Sequence, residues 1–97
     1  MPIGIAPISH SRFDVSQNSP NPVNTKTEVY VNLTKAGNID IKVSNVIGNE
    51  ILKTSIIGRQ GLNTIWFDAT KYSPGIYFYT VSDGKSSLTK RMIVDKK

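Results

Sequence analysis

Few residues in this chain are of a type that could carry out catalysis or bind a metal ion. Cysteine is absent, which excludes disulfides and thiolate metal sites, and the only histidine is His10. Acid–base catalysis would therefore depend on carboxylates, which stand singly along the chain. Asp14, Asp40 or Asp83 could form a calcium site with backbone carbonyls, but their spacing is not that of a known calcium-binding loop. We expect no enzyme, no metal site and no cofactor.

Positive charge is concentrated near the C-terminal end of the chain. The net charge is +5, and residues 85–97 contribute +4 of it, from five basic residues and one acid. The basic residues are Lys85, Lys90, Arg91, Lys96 and Lys97. They could steer the domain toward an acidic partner, or they could keep an exposed edge strand from unwanted pairing. An edge strand could also be extended by a strand of a partner.

Nucleic-acid binding is a weaker interpretation of the same segment. Residues 1–84 carry seven basic and six acidic side chains, so no broad basic face is predicted. Tyr77 and Tyr79 share a parity with Val81, which predicts packing inside the protein rather than base stacking. We expect no nucleic-acid partner. No apolar run approaches the roughly 20 residues that a membrane-spanning helix needs.

The elements that would position these residues are short β-strands. Ile39, Ile41 and Val43 share one face at period two, and polar residues alternate with them. Turn signals recur about every 8 to 12 residues. The clearest are Pro20-Asn21-Pro22, Gly48-Asn49, Ser73-Pro74-Gly75 and Asp83-Gly84. Gly48-Asn49 predicts a two-residue hairpin, since a positive φ costs little there.

Seven such strands and the lack of any helical apolar period predict an all-β fold. We expect an immunoglobulin-like antiparallel β-sandwich of about seven strands, with an open five-stranded barrel as the rival. Residues 13–97 would form this single domain, and residues 1–12 a mobile linker or an added segment. Trp66 is expected to lie across a sheet face. In the last strand Lys90 shares its parity with Leu88, Met92 and Val94, which calls for a bulge or for a lysine lying along the apolar face.

The order and spacing of the turns resemble the type A C-terminal sorting domain of the type IX secretion system of Bacteroidota. No single motif is specific, but the series as a whole is, and it covers about residues 13–96. The segments that carry the resemblance are residues 17–22, 36–38, 45–51, 61–63, 67–68, 73–79, 84–85 and 90–94. Within them Pro20, Asn21, Pro22, Gly48, Gly75, Tyr77 and Gly84 are the signature turn residues. We expect mainly structural roles for these residues, with the ring of Tyr77 or Tyr79 packed and its hydroxyl in water.

The resemblance implies a function as well as a fold. Such domains form the C-terminus of an exported cargo protein and direct it from the periplasm through an outer-membrane translocon to the cell surface or medium. The implied partners are translocon and shuttle proteins, the fused N-terminal cargo, and a sortase-like surface protease that removes the domain. Under this hypothesis the basic residues 85–97 are the candidate recognition site.

A different class of function remains open beside this one. An accessory β-sandwich could bind carbohydrate or another protein. That function would favour a row of exposed aromatic residues on one face, and only Trp66 is an obvious candidate for such a row. We regard it as the alternative hypothesis.

Overall fold

The computed structural model describes residues 13–95, and the predictions for residues 1–12, Lys96 and Lys97 fall outside them. Seven strands and one 3-10 turn make up the described chain. They are β1 (Asp14–Val15), β2 (Lys26–Leu33), β3 (Gly37–Asn45), β4 (Glu50–Gly58), β5 (Gly61–Asp68), the 3-10 turn Ala69–Lys71, β6 (Gly75–Ser82) and β7 (Ser87–Val94). The all-β prediction is confirmed.

The strands form two separate antiparallel sheets. The three-stranded sheet has the order β1-β2-β5, and the four-stranded sheet has the order β4-β3-β6-β7. This arrangement is a seven-stranded sandwich and not the rival barrel. In a constant-type immunoglobulin domain the fourth strand joins the sheet of the first two. Here β4 pairs with β3 instead, which leaves β4 at one edge of the four-stranded sheet and β7 at the other.

Period-two alternation places one face of each long strand in the core. Ile39, Ile41 and Val43 are buried, while Asp40 and Lys42 between them are exposed. The other buried apolar residues are Val15, Val23, Val29, Val31, Leu33, Ile65, Phe67, Ala69, Tyr77, Tyr79, Val81, Met92 and Val94. The β6–β7 register runs without a bulge from Gly75↔Val94 to Ser82↔Ser87. Lys90 therefore lies on the apolar parity opposite Tyr79, half-buried at the sheet edge.

Two tyrosines of β6 bond the backbone of other segments. The Tyr77 hydroxyl donates to the Ser73 carbonyl at 2.6 Å, across the connection from β5 to β6. This is the tyrosine corner of immunoglobulin-like sandwiches. The Tyr79 hydroxyl donates to the Ser16 carbonyl at 2.8 Å and so links the four-stranded sheet to the chain after β1. Both hydroxyls bond the protein itself, which corrects the expectation that one of them ends in water.

Gly58 is buried where the two sheets approach each other. A Cβ at this position would lie 2.6 Å from Leu33 Cδ1 and 2.6 Å from Ile39 Cδ1. Leu33 belongs to the three-stranded sheet and Ile39 to the four-stranded sheet, so the close contact involves both layers. The absence of a side chain at Gly58 therefore sets how closely the sheets pack here.

We predict that Gly58→Ala destabilises the domain by about 1–3 kcal/mol, since both side-chain ends must shift to admit the methyl group. Gly37→Ala is the matched control. It replaces the glycine paired with Gly58, and its Cβ would meet open space. We expect the control to change stability by less than about 0.5 kcal/mol. Urea unfolding of both variants measures the difference, and equal effects would contradict the close contact.

We also predict that the domain loses stability between about pH 10 and pH 12. Burial raises the pKa of Tyr79 to about 12. The folded state then holds the phenolic proton in a pH range where the unfolded chain has lost it, so the free energy of unfolding falls as the pH rises. Urea unfolding at a series of alkaline pH values should show this decline, and Tyr79→Phe should make it shallower. Some decline should persist in the variant, because burial also raises the pKa of Tyr72. An unchanged slope in Tyr79→Phe would contradict the assignment.

Candidate recognition site

The sandwich has two ends, and most of the signature segments lie at one of them. We call the end formed by residues 34–36, 59–60 and 83–86 the proximal end, since the described chain begins there with Asp14 paired to Asn32. The distal end is formed by residues 19–25, 46–49 and 69–74 and by Asp95. Pro20-Asn21-Pro22, Gly48 and Gly75 are at the distal end, as is the C-terminal half of β7, while Gly84 is at the proximal end.

Internal hydrogen bonds fix the conformation of residues 17–23, which we call the clasp. The Pro20 carbonyl accepts hydrogen bonds from Asn18 Nδ2 at 3.0 Å and from Thr27 Oγ1 at 2.8 Å. Asn18 Nδ2 also donates to Thr27 Oγ1 at 3.1 Å, and both residues are buried. Gln17 Nε2 donates to Asn18 Oδ1. A buried polar side chain with all of these partners holds the loop firmly in one conformation.

The clasp covers the outer edge of β7 over its C-terminal half. Gln17 Nε2 donates to the Arg91 carbonyl at 2.6 Å, and the Ile93 amide donates to Asn21 Oδ1 at 3.0 Å. Val23 then pairs in parallel with the strand, because its amide donates to the Ile93 carbonyl and its carbonyl accepts from the Asp95 amide. β7 is thus the last strand of its sheet, as predicted, but its edge is occupied from Arg91 to Asp95. Extension by a partner strand is restricted to the part of β7 before Arg91.

Among the predicted basic residues that lie within residues 13–95, the structure does not bring Lys85, Lys90 and Arg91 into one patch. Lys85 is exposed in the turn before β7, at the proximal end. Arg91 is exposed and lies four residues after Ser87, the first residue of β7. Four residues of strand span roughly 13 Å. Lys90 and Arg91 alternate along β7 and so point to opposite faces of the sheet. Within residues 13–95, only Arg91 is therefore an exposed cation on the distal half of β7.

Two exposed aliphatic residues at the distal end were missed by the sequence analysis. Val46 and Ile47 are 66% and 77% exposed at the tip of the β3–β4 hairpin. Asn45 Oδ1 accepts hydrogen bonds from the Ile47 and Asn49 amides, and the Gly48 amide donates to the Asn45 carbonyl. This bonding gives a four-residue loop, not the predicted two-residue turn. The available signal was a pair of aliphatic residues within a turn, where polar residues are the norm.

The signature turn residues mainly shape the backbone. Gly48, Gly75 and Gly84 have φ angles of 93°, 153° and 98°. At Gly48 this conformation closes the hairpin behind Ile47, and a residue with a Cβ would be strained there. The turn at Gly84 is held by Asp83 Oδ1, which accepts hydrogen bonds from the Ser86 and Lys85 amides. These bonds hold the pKa of Asp83 below its ordinary value.

Other classes of site would need a metal-binding cluster, a membrane-spanning helix or a row of exposed aromatic residues. Residues 13–95 contain no group of three side chains suited to hold a metal ion. Over the same residues no helix is long and apolar enough to cross a membrane. Trp66 and Tyr30 are 62% and 39% exposed on the outer face of the three-stranded sheet. The Tyr30 hydroxyl is engaged by Glu28 Oε1 at 2.6 Å, so Trp66 is the principal free aromatic surface on this face.

We predict that Asn21→Ala weakens the attachment of the clasp to β7. The Ile93 amide loses its acceptor, which should cost about 0.5–1.5 kcal/mol and speed hydrogen exchange at Ile93. Asn24→Ala is the matched control, since Asn24 is exposed one residue beyond the clasp. Amide exchange followed by NMR, with urea unfolding, measures both effects. Exchange at Ile93 that is equally fast in the parent and in Asn21→Ala would contradict the role of the clasp.

Comparison with known proteins gives a match to a protein family. A family model described as a secretion system C-terminal sorting domain matches residues 19–95, from within the clasp to the end of the described chain. A search of curated proteins found no match. The matched family consists of sorting signals of type IX secretion and is not a catalytic family. Its members mark exported proteins for the cell surface or the extracellular space. The chain therefore belongs to the family of secretion system C-terminal sorting domains.

Proposed function

We propose that this domain carries an attached cargo from the periplasm across the outer membrane, and that the secretion machinery reads the distal end of the sandwich. The family match supports a signal role, and one structural observation supports the location. The clasp, the Val46-Ile47 tip and the C-terminal half of β7 gather at the end opposite the start of β1.

This arrangement would keep the distal end accessible while cargo is attached. A cargo fused before residue 13 would sit near the proximal end, next to the start of β1. The eight residues of β2 separate the two ends by roughly 26 Å. A translocon or shuttle protein could therefore contact the distal end without meeting the cargo.

Two kinds of contact are available at the distal end. Val46 and Ile47 form a small exposed apolar surface on a loop that hydrogen bonds hold in place. Because the loop is already ordered, little conformational entropy is lost when a partner buries these side chains. Arg91 supplies positive charge that attracts an acidic partner surface, and Lys96 and Lys97 follow Asp95 in the sequence, outside the described residues. Lys90 is better suited to packing, since it lies half-buried against the core. After export, a sortase-like surface protease would remove the domain from its cargo.

We predict that export depends on exposed distal residues and not on matched proximal ones. Residues 13–97 would be fused to an inert reporter directed to the periplasm of a host with the type IX system. Arg91, Lys96 and Lys97 are replaced together by glutamate in one variant, and Val46 and Ile47 by serine in a second. Both variants should fold, because Arg91, Val46 and Ile47 are exposed and such side chains contribute little to stability. Both should leave most of the reporter in the periplasm.

The controls carry the same chemistry at the proximal end. Lys85→Glu reverses an exposed charge there, and Leu62→Ser removes an aliphatic side chain that is 62% exposed. Each should be exported like the parent. Circular dichroism of the purified domains separates a folding defect from a recognition defect. Normal export of both folded distal variants would contradict recognition at this end.

A further inference from the structure

The outer face of the four-stranded sheet is divided into a polar half and an apolar half. Its outward positions are those that alternate with the core residues of β3, β6 and β7. Toward the proximal end they carry charged and hydroxyl side chains, among them Asp40, Lys42, Thr80 and Thr89. Toward the distal end, apart from Ser44 and Arg91, they carry Ile76, Phe78 and Ile93, which we call the apolar strip.

The side chains of the apolar strip are neighbours. Ile76 lies directly opposite Ile93 in the β6–β7 register, and Phe78 follows Ile76 on the same face of β6. Directly opposite residues of an antiparallel pair have Cβ atoms about 4.5–5.5 Å apart, so the three side chains form one continuous surface. Ile76 is 40% exposed, and Phe78 and Ile93 are half-buried. Polar residues are the norm on the solvent side of an antiparallel sheet, so this half of the face departs from the usual pattern.

The apolar strip continues the Val46-Ile47 tip. The β3–β6 register ends at Asn45↔Tyr77. Val46 is the residue after Asn45 and Ile76 is the residue before Tyr77, so the tip and the strip meet at one corner of the sheet. Together they form a larger apolar surface than either alone. Contiguous apolar surfaces on small domains mark sites of protein interaction.

Arg91 gives this surface a positive charge on its β7 side. It lies opposite Phe78 in the register and on the same outer face. Glu50 belongs to the same row, since it pairs with Ser44 and Ser44 pairs with Phe78, but it stands on the far edge strand. Three strand spacings of about 4.8 Å, roughly 14 Å in all, exceed the screening length of about 8 Å at physiological ionic strength. The charge of Arg91 is therefore available to a partner's carboxylate.

We propose that the secretion machinery binds the apolar strip together with the Val46-Ile47 tip and Arg91. The proposal rests on the function proposed above and names the partner's chemistry. A translocon or shuttle protein buries the strip under apolar side chains of its own and places a carboxylate against Arg91. The polar half of the same face stays in water. Recognition thus takes in a sheet face as well as the loops at the distal end.

Export of the reporter fusion described above tests the apolar strip by itself. Ile76 and Phe78 are replaced together by threonine, which suits a strand and removes most of the apolar surface. Loss of two apolar contacts should weaken partner binding by about tenfold or more, so most of the reporter should stay in the periplasm. Ile57→Thr is the matched control, since Ile57 is 83% exposed and pairs with Asn38 near the proximal end of the same sheet. The control should be exported like the parent.

A second variant and a direct contact measurement guard against a folding defect, because Phe78 is half-buried. Ile76→Thr alone changes an exposed position, so it should stay folded and still reduce export. For the contact, the photo-cross-linking residue p-benzoylphenylalanine takes the place of Ile76 in one fusion and of Thr89 in the other. Thr89 is exposed on the polar half of the same face. Only the first fusion should cross-link to a translocon or shuttle protein, identified by mass spectrometry.

The outcomes separate this proposal from the proposed function. The double variant decides if circular dichroism shows it folded, and Ile76→Thr decides otherwise. Normal export of the deciding variant overturns the proposal, as does equal retention of Ile57→Thr or equal cross-linking from both positions. If the strip variant is exported while the variant at Val46 and Ile47 is retained, recognition at the distal end stands without the sheet face. Export of both, together with the Arg91 variant, overturns both proposals.

Discussion

The attachment of the clasp to the outer edge of β7 is the interaction on which the distal end depends. β7 has a strand neighbour on one side only, and the clasp supplies backbone and side-chain partners on the other. Since the clasp connects β1 to β2, it ties the three-stranded sheet to the last strand of the four-stranded sheet. The Tyr79–Ser16 hydrogen bond adds a second tie next to it. These bonds fix the C-terminal half of β7, from Arg91 to Asp95, at the distal end.

The two outer strands of the four-stranded sheet, β4 and β7, differ in how far their edges are covered. At β7 the clasp and Lys90 leave little edge for another chain to pair with. At β4 nothing comparable is present within the described residues, and isoleucines occupy both faces.

The signature residues of the family have structural roles in this fold. Asn21 bonds the Ile93 amide, Tyr77 forms the tyrosine corner, and Gly48 shapes its turn. These signature residues thus mainly serve the fold.

Much of the fold was predictable because strand alternation is a local property. Residues such as Ile39, Ile41, Val43 and Tyr79 are buried as their period-two pattern predicted. The position of the clasp was not predictable, since its bonds to β7 join residues more than 70 positions apart. The pairing of β4 with β3 likewise depends on tertiary contacts, so the sequence of β4 alone does not specify it. At the candidate site, the basic residues were identified from composition, but only the structure separates Lys85 from Arg91 and shows the exposure of Ile47.

The sequence separation across the clasp has a consequence for the order of folding. Contacts between distant parts of a chain close slowly, because a long loop must be ordered before they form. During synthesis the clasp has no strand to cover until the chain has been made through Asp95. A truncated product that stops before Arg91 lacks the part of β7 that the clasp covers. The contacts between the clasp and β7 can therefore form only after both ends of the domain have been made.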